Sequence, residues 1–401
     1  MAQLVDHSGQ SVVIERSLDA AQQRAVQGTI ARPVAVHHPQ QALTYRGRDF
    51  TVAHNPYDTV DMTSQRDSLP LRPGYSAAET CIPLPAGAGP PLQQHLPAAR
   101  MASLYESAKR SQWNASTDID WSLEVAYGSP LPDDSMFAMT AFYKSPLVRF
   151  GRPMWDAFRW ELQSWMVSHF LHGEHAALIA AGRLVETLAD VDAKFCAATQ
   201  AVDEARHIEA FSRYLREKVP DPYQPSSALS SLLSSILSDS RWDVVSLGMQ
   251  IVIEAVAMAA FRLADHTFHD DLIRQICRLV GRDETRHVSF GVLSLEQLYG
   301  ELDRHELADR EELVLESASV IRHQFLLDDI WERLGVDRAA GAEFAADNDL
   351  MIQYRRAVFA RVVKSLARIG LMTERVAGGM ERLQLTGFAV GRGDCAQWRR
   401  G

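Results

Sequence analysis

Cysteine is scarce in this chain. Four occur in 401 residues, Cys81, Cys196, Cys277 and Cys395, and no two form a Cys-x-x-Cys pair. That excludes a disulfide scaffold and an iron–sulfur ligand set as organising features, and a reducing cytoplasm is the expected compartment. Basic charge is short too. Lys and Arg number 41 against 51 Asp and Glu, a formal net charge of −10, which leaves no footprint for nucleic acid. No apolar run reaches the roughly 18 residues of a membrane span, and the N-terminus lacks the basic-then-apolar pattern of a signal peptide. A glycine-rich nicotinamide or flavin fingerprint is missing as well. Proline is absent after Pro225, whereas ten of the 17 prolines fall within the first 100 residues. Long helices are therefore open to the later part of the chain, and residues 1–97 read as an irregular, Pro-rich arm.

What is present is a doubled motif. One copy reads Asp203-Glu204-Ala205-Arg206-His207 and the other Asp283-Glu284-Thr285-Arg286-His287. A further Glu lies in an apolar run before each copy: Glu174 before the first, Glu254 before the second. The spacing from Glu174 to Glu204 is 30 residues, the spacing from Glu254 to Glu284 is also 30, and the two sets are offset by 80. This register predicts two copies of one helical hairpin.

Glu and His three residues apart share a helix face, one turn apart. A lone Glu on each of two further helices can face them, giving four carboxylates and two imidazoles, the ligand set of dinuclear carboxylate sites in four-helix bundles. Four carboxylates balance two divalent cations, and a set of carboxylate and imidazole without thiolate suits iron or manganese. A single Glu-x-x-His pair is common on solvated helices and would carry little weight. Here the neighbours are apolar at helical spacing: Phe170 and Leu178 around Glu174, Ile251 and Met258 around Glu254, Ile208 and Phe211 after Glu204. Burying unpaired carboxylates costs several kcal/mol each, so two ions are expected to neutralise Glu174, Glu204, His207, Glu254, Glu284 and His287. Phe170, Leu178, Phe211 and Met258 are candidates to line a pocket beside them.

Helices are expected over about 98–112, 153–188, 191–218, 241–267 and 270–299, with Pro153 in a first turn and Asp190 as an N-cap. Ser-rich residues 223–240 allow a short helix. Further helices at about 304–327, 343–369 and 371–384 should buttress the bundle. The fold class is all-α, with residues 98–401 as one helical domain and a metal-binding core at about 153–299. His37-His38, the loop Gly128 to Pro132 and the tail from Gly391 fall outside these elements.

The quoted motifs resemble those of the carboxylate-bridged diiron oxygenases of the ferritin-like superfamily. They are similar to both the hydroxylases of bacterial multicomponent monooxygenases and the small subunit of ribonucleotide reductase. The resemblance covers about residues 150–300. It implies a ferritin-like bundle, two Fe ions (or Mn, or a mixed pair) and O2 as co-substrate. It also implies that Asp283 backs His207 and Asp203 backs His287, with Arg206 and Arg286 pairing the aspartates. Where the reductase subunit carries its radical tyrosine, this chain has Phe211, with Tyr214 a turn further on. Where the hydroxylases carry a Thr, it has Met258; where arylamine N-oxygenases carry a seventh, histidine ligand, it has Val280.

The resulting expectation is a diiron monooxygenase that activates O2 to hydroxylate or N-oxygenate a small organic molecule. Electrons would come from a separate reductase or ferredoxin, and a homodimer is the expected assembly. A ferroxidase or iron-handling protein, a radical-generating subunit and a metal-stabilised interaction module are the rivals.

Overall fold

The structure, a computed structural model, describes residues 4–5, 11–12, 98–125 and 136–386. The Pro-rich arm, His37-His38, the loop Gly128 to Pro132, Cys81, Cys395 and the tail from Gly391 lie outside the described residues, apart from a two-residue antiparallel pair, β1 (Leu4–Val5) with β2 (Ser11–Val12). Among the described residues, everything else with regular structure is helical. In order these are α1 (Ala98–Arg110), α2 (Met136–Lys144), a 3-10 turn (Pro146–Phe150), α3 (Arg152–Thr187), α4 (Val191–Lys218) and α5 (Ser227–Ser238). Then come α6 (Trp242–Ser246), a π-helical segment (Leu247–Ile253), α7 (Glu254–Thr267) and α8 (Asp271–Leu298). Last are α9 (Arg304–Gln324), α10 (Asp328–Arg333), α11 (Arg338–Asp347), α12 (Asp349–Arg368) and α13 (Glu374–Arg382).

Local chemistry sets the ends. Gly151, at φ +82°, turns the chain out of the 3-10 turn into α3, a conformation that an L side chain would strain. Pro153 then occupies the first turn, where its missing N–H costs nothing. Asp190 caps α4 by accepting from the Ala193 amide at 2.8 Å. Asp270 caps α8, accepting from Leu272 and Ile273. Pro220 and Pro222 follow the end of α4.

Only three residues join α3 to α4 and three join α7 to α8, so each pair is an antiparallel hairpin. The hairpins are connected by one long crossover that contains α5. Two helical hairpins with a single crossover are the ferritin-like form of the four-helix bundle. The C-terminal helices pack on this frame. Arg310 of α9 reaches buried Asp243 of α6 through Nε at 3.0 Å and Nη2 at 2.9 Å. Trp331 of α10 stacks on Phe158 of α3, with centroids 4.9 Å apart. The short helices α2 and α10 were not expected from periodicity, and the helix expected at about 343–369 is divided into α11 and α12.

One expectation needs correcting. The helical stretch Trp242–His266 is long and apolar enough to cross a membrane, with a mean hydropathy of 2.0. The interruption at Glu254 hid this from a search for an uninterrupted run. However, 78% of the apolar window is buried inside the protein, where the stretch supplies one of the four bundle helices.

Candidate metal centre

The six residues of the doubled motif converge. Ligand atoms of Glu174, Glu204, His207 and Glu284 lie within 4.8 Å of one another, and so do those of Glu204, Glu254, Glu284 and His287. All six side chains are buried. Glu204 and Glu284 belong to both quartets. Glu204 places Oε2 3.2 Å from His207 Nδ1 and Oε1 3.1 Å from His287 Nδ1. Glu284 repeats this, with Oε1 at 3.3 Å and Oε2 at 3.4 Å from the same two nitrogens. Each of these carboxylates thus offers one oxygen to either side, while Glu174 and Glu254 sit at the ends. Glu174 lies 3.1 Å from His207, and Glu254 lies 4.0 Å from His287.

Both imidazoles turn Nδ1 inward and Nε2 outward. His207 Nε2 faces Asp283 at 3.4 Å, and His287 Nε2 faces Asp203 at 3.2 Å. A carboxylate only accepts hydrogen bonds, so each Nε2 carries the proton and each Nδ1 is left with a lone pair for a cation. Arg286 bridges the two aspartates at 2.9 and 2.8 Å, and Arg206 pairs with both from the other side.

Two partners escaped sequence reasoning. Trp113 donates its indole N–H to Asp283 at 2.6 Å, and Gln112 donates to Asp203 at 3.2 Å while accepting from Arg206. They follow α1, far from the motifs in sequence, and only the Trp in an otherwise polar stretch hinted at them. A second buried set, Gln200, Gln250 and Ser246, also went unnoticed. Gln200 Nε2 donates to Glu254 at 2.9 Å and to Glu204 at 3.2 Å.

The electrostatics fit two cations. Burial drives the carboxyls of Glu174 and Glu254 well above the usual range, and the neighbouring carboxylates add to it. Burial would raise Glu204 as well, but His287 and His207 hold it well below. Burial opposes charge on the imidazoles, yet Glu174 beside His207 and Glu284 beside His287 push both well above the usual value. Without metal, protons must supply the positive charge. Oε2 of Glu254, both oxygens of Glu284 and Nδ1 of His287 have no hydrogen-bond partner. They are close to one another but are not aimed as donor and acceptor. Buried orphans of this kind need a partner, and the donor set of carboxylate and imidazole nitrogen is able to hold two ions such as iron or manganese.

A cavity of about 110 Å³ opens onto three of the carboxylates, Glu174, Glu254 and Glu284. Its walls are mostly apolar and come from α3 (Trp165, Phe170, Ala177), α5 (Leu229, Leu233), the end of the π segment and α7 (Ile253, Ala257), α9 and α12. Of the four candidate pocket residues, Phe170 is on the wall. Leu178, Phe211 and Met258 are not, which corrects that expectation. Phe211 is fully buried between Phe170 and Phe261, at centroid distances of 5.7 Å to each. Met258 packs against Thr285 of α8. Leu178 is half-buried, one position round the helix from the cavity-lining Ala177. His172, beside Glu174, is engaged with the Tyr223 carbonyl at 2.9 Å, and His175 is exposed. Tyr214, the remaining tyrosine of interest, is bound to Asp270 at 2.5 Å and to Gln163 at 2.7 Å.

No family model and no curated protein matches the chain. Among solved structures, it is similar to a valine-to-leucine variant of an R2-like ligand-binding oxidase with an anaerobically reconstituted Mn/Fe cofactor, at 18% identity and a TM-score of 0.44, covering 68% of this chain and 93% of that one. A glycine-to-leucine variant of an R2-like ligand-binding oxidase, with its Mn/Fe cofactor reconstituted the same way, gives 17%, 0.44 and the same coverages. An R2-like ligand-binding oxidase with an aerobically reconstituted metal cofactor after photoconversion gives 15% and 0.36, covering 72% of this chain and 93% of that one. These likenesses are loose, and the chemistry of the site rests on its own geometry.

Proposed function

We propose that this chain is a non-haem dimetal oxidoreductase that uses O2 to oxidise a small, mainly apolar organic molecule. The observation that carries this reading is the junction of two buried quartets, sharing Glu204 and Glu284, with an apolar cavity at their carboxylates. Glu174, Glu204 and Glu284 with His207 would hold one ion, and Glu204, Glu254 and Glu284 with His287 the other. Two iron ions, or a manganese–iron pair, supply the redox chemistry that O2 activation requires when bound.

The chain's own groups do the rest. Asp283 and Asp203 fix tautomer and orientation of the two imidazoles, and Arg206 and Arg286 pair with the aspartates. The apolar walls exclude water and orient the substrate against Glu174, Glu254 and Glu284. Turnover needs electrons from outside, because the chain carries no flavin, nicotinamide or iron–sulfur motif, and a reductase or ferredoxin is the partner this implies. The expected reaction is a monooxygenation, hydroxylation or N-oxygenation. Phe211 in the place of a radical tyrosine counts against radical storage, and an apolar cavity at the cluster is poorly suited to a ferroxidase, whose substrate is a hydrated ion.

The test is anaerobic loading with Fe(II) followed by O2. Two irons bound per chain and a stoichiometric optical transient that decays faster with an added organic substrate support the reading. Slow oxidation with no transient, or protein that binds no transition metal, overturns it.

A further inference from the structure

The sequence repeats at an offset of 80, but the surroundings of the two half-sites do not. On the Glu254 side a buried chain of side chains runs to the cluster. Ser246 Oγ donates to Gln250 Oε1 at 2.6 Å, Gln250 Nε2 donates to Gln200 Oε1 at 2.7 Å, and Gln200 Nε2 donates to Glu254 Oε1 at 2.9 Å and Glu204 Oε1 at 3.2 Å. All three residues are at most 2% exposed. The carboxylates fix the direction of the chain. An ionised carboxylate only accepts, so Gln200 must turn its NH2 to Glu254 and its carbonyl to Gln250, and so on back to Ser246. Gly291 makes room: a Cβ there would lie 2.8 Å from Gln250 Cβ and 3.0 Å from its Oε1.

At the offset of 80, the counterparts of Gln200, Gln250, Ser246 and Gly291 are Val280, Phe170, Met166 and Phe211. All four are apolar. Phe170 and Met166 line the cavity, and Val280 and Phe211 belong to the core. Glu174 therefore has no counterpart of Gln200, and its Oε2 faces His207 Nδ1 at 3.1 Å. Glu254, by contrast, has one oxygen tied to Gln200 and the other, Oε2, without a partner and on the His287 side.

We propose that the Ser246–Gln250–Gln200 chain is a positioning device that locks Glu254 as a one-oxygen ligand, so that the ion beside His287 is retained while the ion beside Glu174 and His207 exchanges. This rests on the dimetal reading above. A preorganised ligand loses less freedom on binding, and partners of metal ligands are worth about 10–100-fold in affinity. Glu174, which borders the same cavity as Glu254, lacks such a lock. The asymmetry divides the work: one half-site holds its ion, and the other exchanges it.

The experiment loads the whole protein with Co(II), challenges it with excess EDTA, and follows the ions retained per chain by elemental analysis and the visible Co(II) bands. Wild type is expected to lose one ion quickly and the second at least tenfold more slowly. Gln200→Leu, which removes the lock, should bring the slow ion within about threefold of the fast one. Gly291→Ala, which displaces Gln250 without touching a ligand, should shift the slow ion in the same direction. Far-ultraviolet circular dichroism and the thermal midpoint show whether each variant is folded. Two ions leaving wild type at one rate overturn this inference and leave the dimetal reading standing. So does a slow ion that persists in a folded Gln200→Leu protein. Binding of fewer than two ions overturns both.

Discussion

The side chains of the cluster differ in how many ions each would serve, and this gives an ordered expectation. Glu204 and Glu284 reach both imidazoles, whereas Glu174 and Glu254 each reach one. Glu204→Ala is therefore expected to reduce bound metal from about two ions per chain to almost none, and Glu174→Ala to about one, read by elemental analysis of protein purified in parallel. Equal losses from the two variants would contradict the shared role. The six residues of the cluster were legible in the sequence because the repeat spacing and the apolar neighbours made them stand out. Gln200, Gln250 and Ser246 were not. An amide in an apolar helix has no spacing signature of its own, and its meaning depends on the partner it meets across the bundle. Trp113 was hidden for a related reason, since its partner Asp283 is 170 positions away.

Among the elements, α8 shows how one residue can serve several neighbours. Asp270 caps this helix through Leu272 and Ile273 and also accepts from Gln163 and Tyr214, so that it ties α8 to α3 and α4. Losing an N-cap costs about 1 kcal/mol, and leaving a buried amide and hydroxyl unpaired adds about 1–3 kcal/mol. Asp270→Ala should lower unfolding stability by about 3 kcal/mol in urea titrations, and a loss under 1 kcal/mol would show that the junction carries little. The long helices α3, α4 and α8 were readable to within about two residues because Pro153, Asp190 and the run of apolar positions mark them. The π segment Leu247–Ile253 was not, because no local residue pattern specifies a widened turn. It is settled by packing, in which Gly248 lies close against Ile236 of α5. The short helix α10 was missed because its six residues make less than two turns, too few for a period to emerge, and Asn348, the N-cap of α12, divides the stretch expected as one helix at about 343–369.

For the whole molecule, the buried polar groups set a limit on the acid side. His169, on the cavity wall, donates Nδ1–H to the Trp165 carbonyl at 2.8 Å and packs tilted against the Trp165 ring. Burial lowers its pKa from 6.5 to about 4. Between those values the unfolded chain holds more protons than the folded one, so stability falls as pH drops from about 6.5 and levels off below about 4. The loss is at most about 3 kcal/mol, at 1.36 kcal/mol per unit. His169→Gln should remove that slope, so the difference in thermal midpoint between the two proteins should change steadily from pH 7 to pH 4. A constant difference would rule out this source.

The cluster sits within the bundle, but the chamber beside it is walled in part by α5, which carries none of the six residues. This twelve-residue crossover lays Leu229 and Leu233 over the opening and rests on the small side chains of Ala176, Ala177 and Ala180. The reactive frame and its roof are thus separate parts. Changing the bulk of Leu229 or Leu233 would resize that room while the six buried residues of the cluster, all on other helices, stayed in place.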